Sequence, residues 1–170
     1  FNSISSKIYK AEKIDTHGGS LRVYISKNQK VKIQSSVKEI LKEEEKFGIK
    51  DFKTYKNFEK KILQIKTNVR KNLKKLLNSH KKIIGYGSPA KATTALNFFG
   101  ISKEIECIIE DNKLKHGKFI PGVKIPIISK KKLKTNPKCV LVLAWNFFDE
   151  IKKNNQDLSK NFVSISKLKN

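Results

Sequence analysis

The segment Lys82-Ile83-Ile84-Gly85-Tyr86-Gly87-Ser88-Pro89-Ala90-Lys91-Ala92-Thr93 constrains the fold of this chain more than any other. A short apolar run stops at a glycine-bearing bend. A helical pattern from Ala90 to Phe99 follows at once and is closed by Gly100. Between a strand and a helix, G-x-G-x-x-A is the alanine-ended form of the dinucleotide-binding pattern. The spacing predicts that Gly85 makes the tight turn, that Gly87 admits a phosphate close to the backbone, and that Ala90 lets helix and strand pack closely. The helix start then offers N–H groups and the positive end of its dipole to an anion. Pro89 lacks an N–H, which is harmless in a first turn, and Ser88, Lys91 and Thr93 supply side-chain contacts to phosphate oxygens. A glycine turn that only reverses the chain is the competing reading.

The flanking pattern extends this unit. Ile105 to Ile109 reads as a second strand ending in Glu110-Asp111, and Ile125-Pro126-Ile127-Ile128 as a further short apolar segment. A short helix near Lys130 to Leu133 precedes Cys139-Val140-Leu141-Val142-Leu143-Ala144. That run lacks polar alternation, as a strand covered on both faces does. Asn146 to Lys153 reads as helix and Phe162 to Ile165 as a last strand. Strands alternating with helices predict an α/β fold, a Rossmann-like three-layer parallel sheet.

Ahead of it lie a strand at 20–26, a helix from about 30 to 47 ended by Gly48, and a long amphipathic helix opened by Asp51. In the last of these Phe52, Tyr55, Phe58, Ile62, Ile65, Val69, Leu73 and Leu76 recur every three or four residues, which marks a packing stripe. Residues 1–81 are thus expected to form a strand plus helical connector and residues 82–168 the Rossmann-like core.

The charge balance limits the partners. Lys+Arg 38 against Asp+Glu 15 gives +23 over 170 residues. Only Arg22 and Arg70 are arginine, whereas base edges and bidentate phosphate contacts favour the guanidinium fork. The lysines are also scattered rather than gathered in a stripe, so a solvated lysine surface is favoured over nucleic-acid binding. No apolar run approaches the length of a membrane span. Two cysteines within apolar strands suit core positions, and no pair of histidines has metal-ligand spacing, so no metal is expected. The chain has no Met and opens at Phe1, and it reads as a piece of a longer polypeptide.

Outside the glycine loop, Glu110-Asp111 sits about 20 residues after Ala90, where an acid grips a ribose hydroxyl in dinucleotide folds. A turn cap is the other reading. Trp145-Asn146 follows the most apolar strand on the ligand side and either stacks on a base or anchors the core and caps a helix. His17, in His17-Gly18-Gly19-Ser20, either faces a cleft or serves the turn alone, and His116 lies in the loop after the second strand. Spacing does not distinguish a redox dinucleotide such as NAD(P) from a nucleotide-sugar.

Four ordered segments narrow the choice: His17-Gly18-Gly19-Ser20-Leu21-Arg22, Gly85-Tyr86-Gly87-Ser88-Pro89-Ala90-Lys91, Lys115-His116-Gly117-Lys118-Phe119-Ile120-Pro121-Gly122 and Ala144-Trp145-Asn146-Phe147. With them the chain resembles, from about residue 12 to 165, the carboxy-terminal domain of SAM-dependent sugar C-methyltransferases. The resemblance implies a cytoplasmic enzyme whose upstream zinc and S-adenosylmethionine domains lie outside this chain, leaving the fragment inactive alone. It implies that this domain holds a nucleotide-sugar, a dTDP-linked keto sugar, for methyl transfer to carbon. Carried over, Gly85, Gly87, Ser88, Ala90 and Lys91 take the diphosphate. Asn97, Asp111, Lys115, Pro121, Trp145 and Asn146 line or support the nucleoside pocket, and His17 has a positioning role near the active site. An NAD(P)-binding oxidoreductase domain is the alternative.

Overall fold

The computed structural model describes residues 2–80 and 82–170, apart from the side chains of Asn2 and His17. Two units cluster along the chain, one up to Lys60 and one from Lys61 to Asn170.

In the first unit β1 (Lys7–Ile14) and β2 (Ser20–Ser26) form an antiparallel pair, followed by α1 (Ser35–Phe47). β1 is absent from the sequence reading because its lysines and Glu12 break the apolar alternation of a half-buried strand. Glu12 is held among Lys10 (2.9 Å), Arg22 (3.1 Å) and the Tyr24 hydroxyl (2.7 Å). Hydrogen bonds from Lys10 and Tyr24 pull its carboxyl down to about 2. Ala11 is buried, and its N–H donates to the Ser36 hydroxyl at the start of α1. Leu21, Val23 and Ile25 alternate along β2 and are exposed.

Gly48 ends α1 as predicted, with its N–H on the Glu44 and Glu45 carbonyls. Asp51 then opens α2 (Phe52–His80) by accepting the Lys53 N–H at 2.9 Å. The apolar stripe of this helix is not buried throughout. Val69 and Leu73 enter the core, whereas Phe52, Tyr55 and Phe58 are exposed, so the periodicity identifies the helix but not how far its stripe is covered.

In the second unit a five-stranded sheet runs in the order β5-β4-β3-β6-β7. Its strands are β3 (Ile84–Tyr86), β4 (Ile108–Ile109), β5 (Ile127–Ile128), β6 (Val140–Val142) and β7 (Phe162–Ser164), and every pairing is parallel. The expected strand 105–109 is only Ile108–Ile109, although Ile105 remains buried. The expected helix at 130–133 is a single 3-10 turn, Lys130–Lys132.

One face of the sheet packs Leu141, Leu143 and Ile108 against Val69 and Leu73 of α2 and against Ala92 and Leu96 of α3 (Ala90–Phe99). The other face packs Ile109, Val140 and Val142 with Leu158 and, partly buried, Phe148 and Ile151 of α4 (Phe148–Asn154). All three residues of β6 are buried, as an uninterrupted apolar run on a doubly covered strand requires. These are the three layers of the Rossmann-like α/β fold.

The order of strands fixes where a ligand can sit. From β3 the chain moves outward through β4 to β5, then returns to the other side of β3 for β6 and β7. Connections that diverge from a strand pair leave a crevice beyond its carboxyl ends. Here that crevice lies past Tyr86 and Val142.

Candidate functional site

At that crevice β3 passes into the bend Gly87-Ser88-Pro89 and then α3. Gly87 has φ 84°, and a Cβ there would lie 2.7 Å from Ala144 Cβ on the neighbouring strand end. Both its backbone and its surroundings therefore demand glycine. Gly85 differs from its predicted role. It lies within β3, and a Cβ would lie 2.8 Å from Ile108 Cγ1, so it makes room for the core and does not form the turn. Ala90 is likewise exposed, and the close helix–sheet contact belongs to Ala92, which is fully buried.

Ser88 carries the largest departure from expectation. Its hydroxyl, expected to contact phosphate oxygens, donates to Glu110 Oε2, and its N–H donates to the same oxygen at 2.8 Å. Lys115 Nζ reaches the Ser88 carbonyl at 3.0 Å and Glu110 Oε2 at 3.4 Å, while the Asn112 N–H donates to Glu110 Oε1 at 3.1 Å. Burial pushes the Glu110 carboxyl up, but these hydrogen bonds and the Lys115 charge outweigh it and hold the group at about 2. A carboxylate from this chain therefore occupies the predicted pyrophosphate seat at Ser88. The N–H groups of Ala90 and Lys91 are those that helix geometry leaves over at the start of α3.

The adjacent acid points elsewhere. Asp111 accepts the Tyr86 hydroxyl at 2.9 and 3.0 Å on its two oxygens. Burial and the Asp111 carboxylate push the Tyr86 phenol up to about 12. His116 Nε2 donates to the Glu110 carbonyl at 2.7 Å, which fixes the strand end.

A cleft of about 320 Å³ brings together Gly87, Ser88, Asp111 and Lys115 from the predicted set, with Tyr86, Pro89, Glu110, Ala144, Phe147, Glu150 and Ile151. Lys91 stands outside this lining, its Nζ 5.0 Å from the centroid of the Trp145 ring. Trp145 is partly buried against the core, and Asn146 is exposed.

Thr93, Asn97 and Pro121 form a separate clasp. Asn97 Nδ2 donates to the Thr93 and Pro121 carbonyls, both at 2.9 Å, tying α3 to the loop after residue 120. The side chain of His17 lies outside the described residues. Sequence reasoning does not single out Tyr86 or Glu150. Tyr86 is the variable position of the glycine pattern, and its only sequence signal is an aromatic hydroxyl at a strand's carboxyl end.

The cleft thus presents carboxylates, a hydroxyl and one ammonium group, with a second ammonium and a helix start beside it. Carboxylates accept from hydroxyl-bearing ligands, while ammonium groups and helix N–H groups attract phosphate.

A family model described as C-methyltransferase C-terminal domain matches residues 15–165. The chain is 30% identical over 164 residues to the C-methyltransferase NovU of Streptomyces niveus, an alignment covering 95% of this chain and 39% of that protein. The chain therefore spans well under half the length of this relative.

Proposed function

As the chain belongs to the family of C-methyltransferase C-terminal domains, we propose that it is the substrate-holding part of a SAM-dependent C-methyltransferase. Its ligand on this reading is a nucleotide-linked sugar, a dTDP-keto sugar, in a cytoplasmic enzyme. The observation that carries the reading is the cleft beyond β3 and β6, where the bend at Gly87-Ser88, the acids Glu110 and Asp111, and Lys115 converge.

The residues divide the ligand between them. Because Glu110 already occupies Ser88, the phosphates do not sit on the Ser88 N–H. They lie toward Lys91, Lys115 and the first N–H groups of α3, and Asp111, whose oxygens accept only the Tyr86 hydroxyl among the described residues, accepts hydroxyls of the sugar part. Trp145, with Lys91 over its ring, flanks the phosphate end.

On this reading S-adenosylmethionine is held by another part of the enzyme, for which the 39% coverage of NovU leaves room. The upstream zinc domain and the chemistry itself are placed there too.

Calorimetry of the chain with dTDP, thymidine and NAD tests this. Binding of dTDP, weaker binding of thymidine, and no heat with NAD are expected. Binding of NAD without dTDP would assign the cleft to an oxidoreductase-type dinucleotide, and silence with every nucleoside diphosphate at millimolar concentration would remove the ligand-holding role.

A further inference from the structure

A second cavity, of about 560 Å³, opens at the amino-terminal ends of the parallel strands, the edge of the sheet opposite the cleft. Its floor is the rim of the second core: Ile84 where β3 begins, Cys107 just before β4, and Ile128 of β5, with Leu133 forming a wall. That wall belongs to the loop after the Lys130–Lys132 turn, which Asn136 fastens by donating to the Asp157 carbonyl at 2.9 Å. The cavity is therefore built from strand ends and a tethered loop, and its lining is mostly apolar. Its size is that of a small-molecule site.

Charge is distributed unevenly around this floor. Lys132, Lys134 and Lys138 stand on the rim and are exposed. Among the described residues none of the three has a carboxylate within ion-pair distance. Glu106 is the one acid among the described lining residues, and it is drawn to Lys82 at 3.5 Å. An apolar floor beneath three uncompensated ammonium groups complements a molecule with an apolar body and an anionic end.

We propose that this cavity is a binding site for a small amphipathic organic anion, an aryl or alkyl chain ending in one carboxylate or phosphate. The body lies on Ile84, Cys107, Ile128 and Leu133, and the anionic end meets Lys132, Lys134 and Lys138. The site is separate from the cleft beyond β3 and β6 and does not depend on what that cleft holds.

Titration of the isotope-labelled chain with phenylbutyrate, phenylbutyl phosphate and phenylbutanol, followed by amide NMR, tests the proposal. Phenylbutyrate or the phosphate is expected to shift the amides of Ile84, Cys107, Ile128 and Leu133 saturably, and the preferred acid identifies the headgroup. The alcohol is expected to bind roughly fivefold more weakly, the scale of an exposed charge contact. The triple variant K132Q/K134Q/K138Q, changed only at exposed positions, should bring the anions down to the alcohol's affinity while keeping a dispersed spectrum.

A measurement on the unaltered chain guards against a folding failure in that variant. The anion should slow the already slow modification of Cys107 by a small thiol reagent, with Cys139, also buried but outside the cavity lining, as internal control. Absence of saturable shifts at those four amides up to roughly 10 mM ligand overturns the proposal. So do equal affinities for acid and alcohol, or shifts confined to Gly87, Ser88 and Glu110.

Discussion

Ser88 and Glu110 close on each other beyond the ends of β3 and β4, with the backbone N–H and the hydroxyl of Ser88 both donating to Glu110 Oε2. A bend with the G-x-G-x-x-A spacing thereby has the donors of Ser88 satisfied from within the chain. The consequence is thermodynamic as well as functional. A carboxyl held at about 2 in the fold and near 4.5 unfolded favours the folded state above pH 4.5. That contribution is lost as the pH falls from about 4.5 to about 2, and is on the order of 3 kcal/mol at full strength. Acid unfolding followed by circular dichroism should show it, and Glu110→Gln should lessen the pH dependence over that window, leaving the part that Glu12 contributes. Retention of the full slope in the Glu110→Gln variant would remove Glu110 as a source.

Gly87→Ala is expected to destabilise the second unit by roughly 2–4 kcal/mol, from left-handed strain together with overpacking. The clash is with Ala144 Cβ at 2.7 Å, so Ala144→Gly in the same chain should restore only the packing share. Chemical denaturation of the single and double variants separates the two contributions. Full recovery in the double variant would mean that the φ of 84° carries no cost.

Leu141, fully buried at the centre of β6, makes the plainest test of the core. Leu141→Ala should cost about 2–5 kcal/mol in urea-unfolding experiments. A loss below about 1 kcal/mol would contradict a strand covered on both faces.

Burial pushes the thiols of Cys107 and Cys139 up to about 11 each, with the Glu106 charge adding to the effect at Cys107. At about pH 8 both should react with an aromatic disulfide reagent at least about tenfold more slowly in the native chain than in denaturant. Equal rates would show that one of the apolar strands does not bury its thiol.

Tyr86→Phe removes the hydroxyl that Asp111 accepts and should cost about 1 kcal/mol. Spectrophotometric titration of the unaltered chain should show a phenol ionising at about 12 that the variant lacks. Retention of that late transition in the Tyr86→Phe variant would assign it to another tyrosine.

The parallel sheet and its helices are legible in the sequence because their signals are local. The run Cys139–Ala144 has no polar alternation, the stretch from Ala90 to Gly100 carries its own stop, and Asp51 caps a helix where its side chain predicts one. The features that depart from expectation depend on partners distant in sequence. Gly85 and Gly87 look alike in a motif, but Ile108 and Leu143 make one a packing position and Ala144 makes the other the bend. Glu110 and Asp111 are neighbours just past the end of β4, yet one turns to Ser88 and the other to Tyr86. Asn97 and Pro121 meet only after the chain has folded over 24 residues. β1 escapes a reading by periodicity because its polar residues find partners on β2, and an ion-pair cluster leaves no hydrophobic period to read.

The first unit ends its sheet at β2, which among the described residues pairs with β1 alone and leaves Leu21, Val23 and Ile25 uncovered. A free strand edge with aliphatic side chains invites a second chain to zip onto it. In a protein of charge +23, mutual repulsion is the force that keeps molecules apart long enough to remain dispersed. Colloidal behaviour is therefore set by ionic strength: concentrated salt shortens the reach of that repulsion and lets the edges meet.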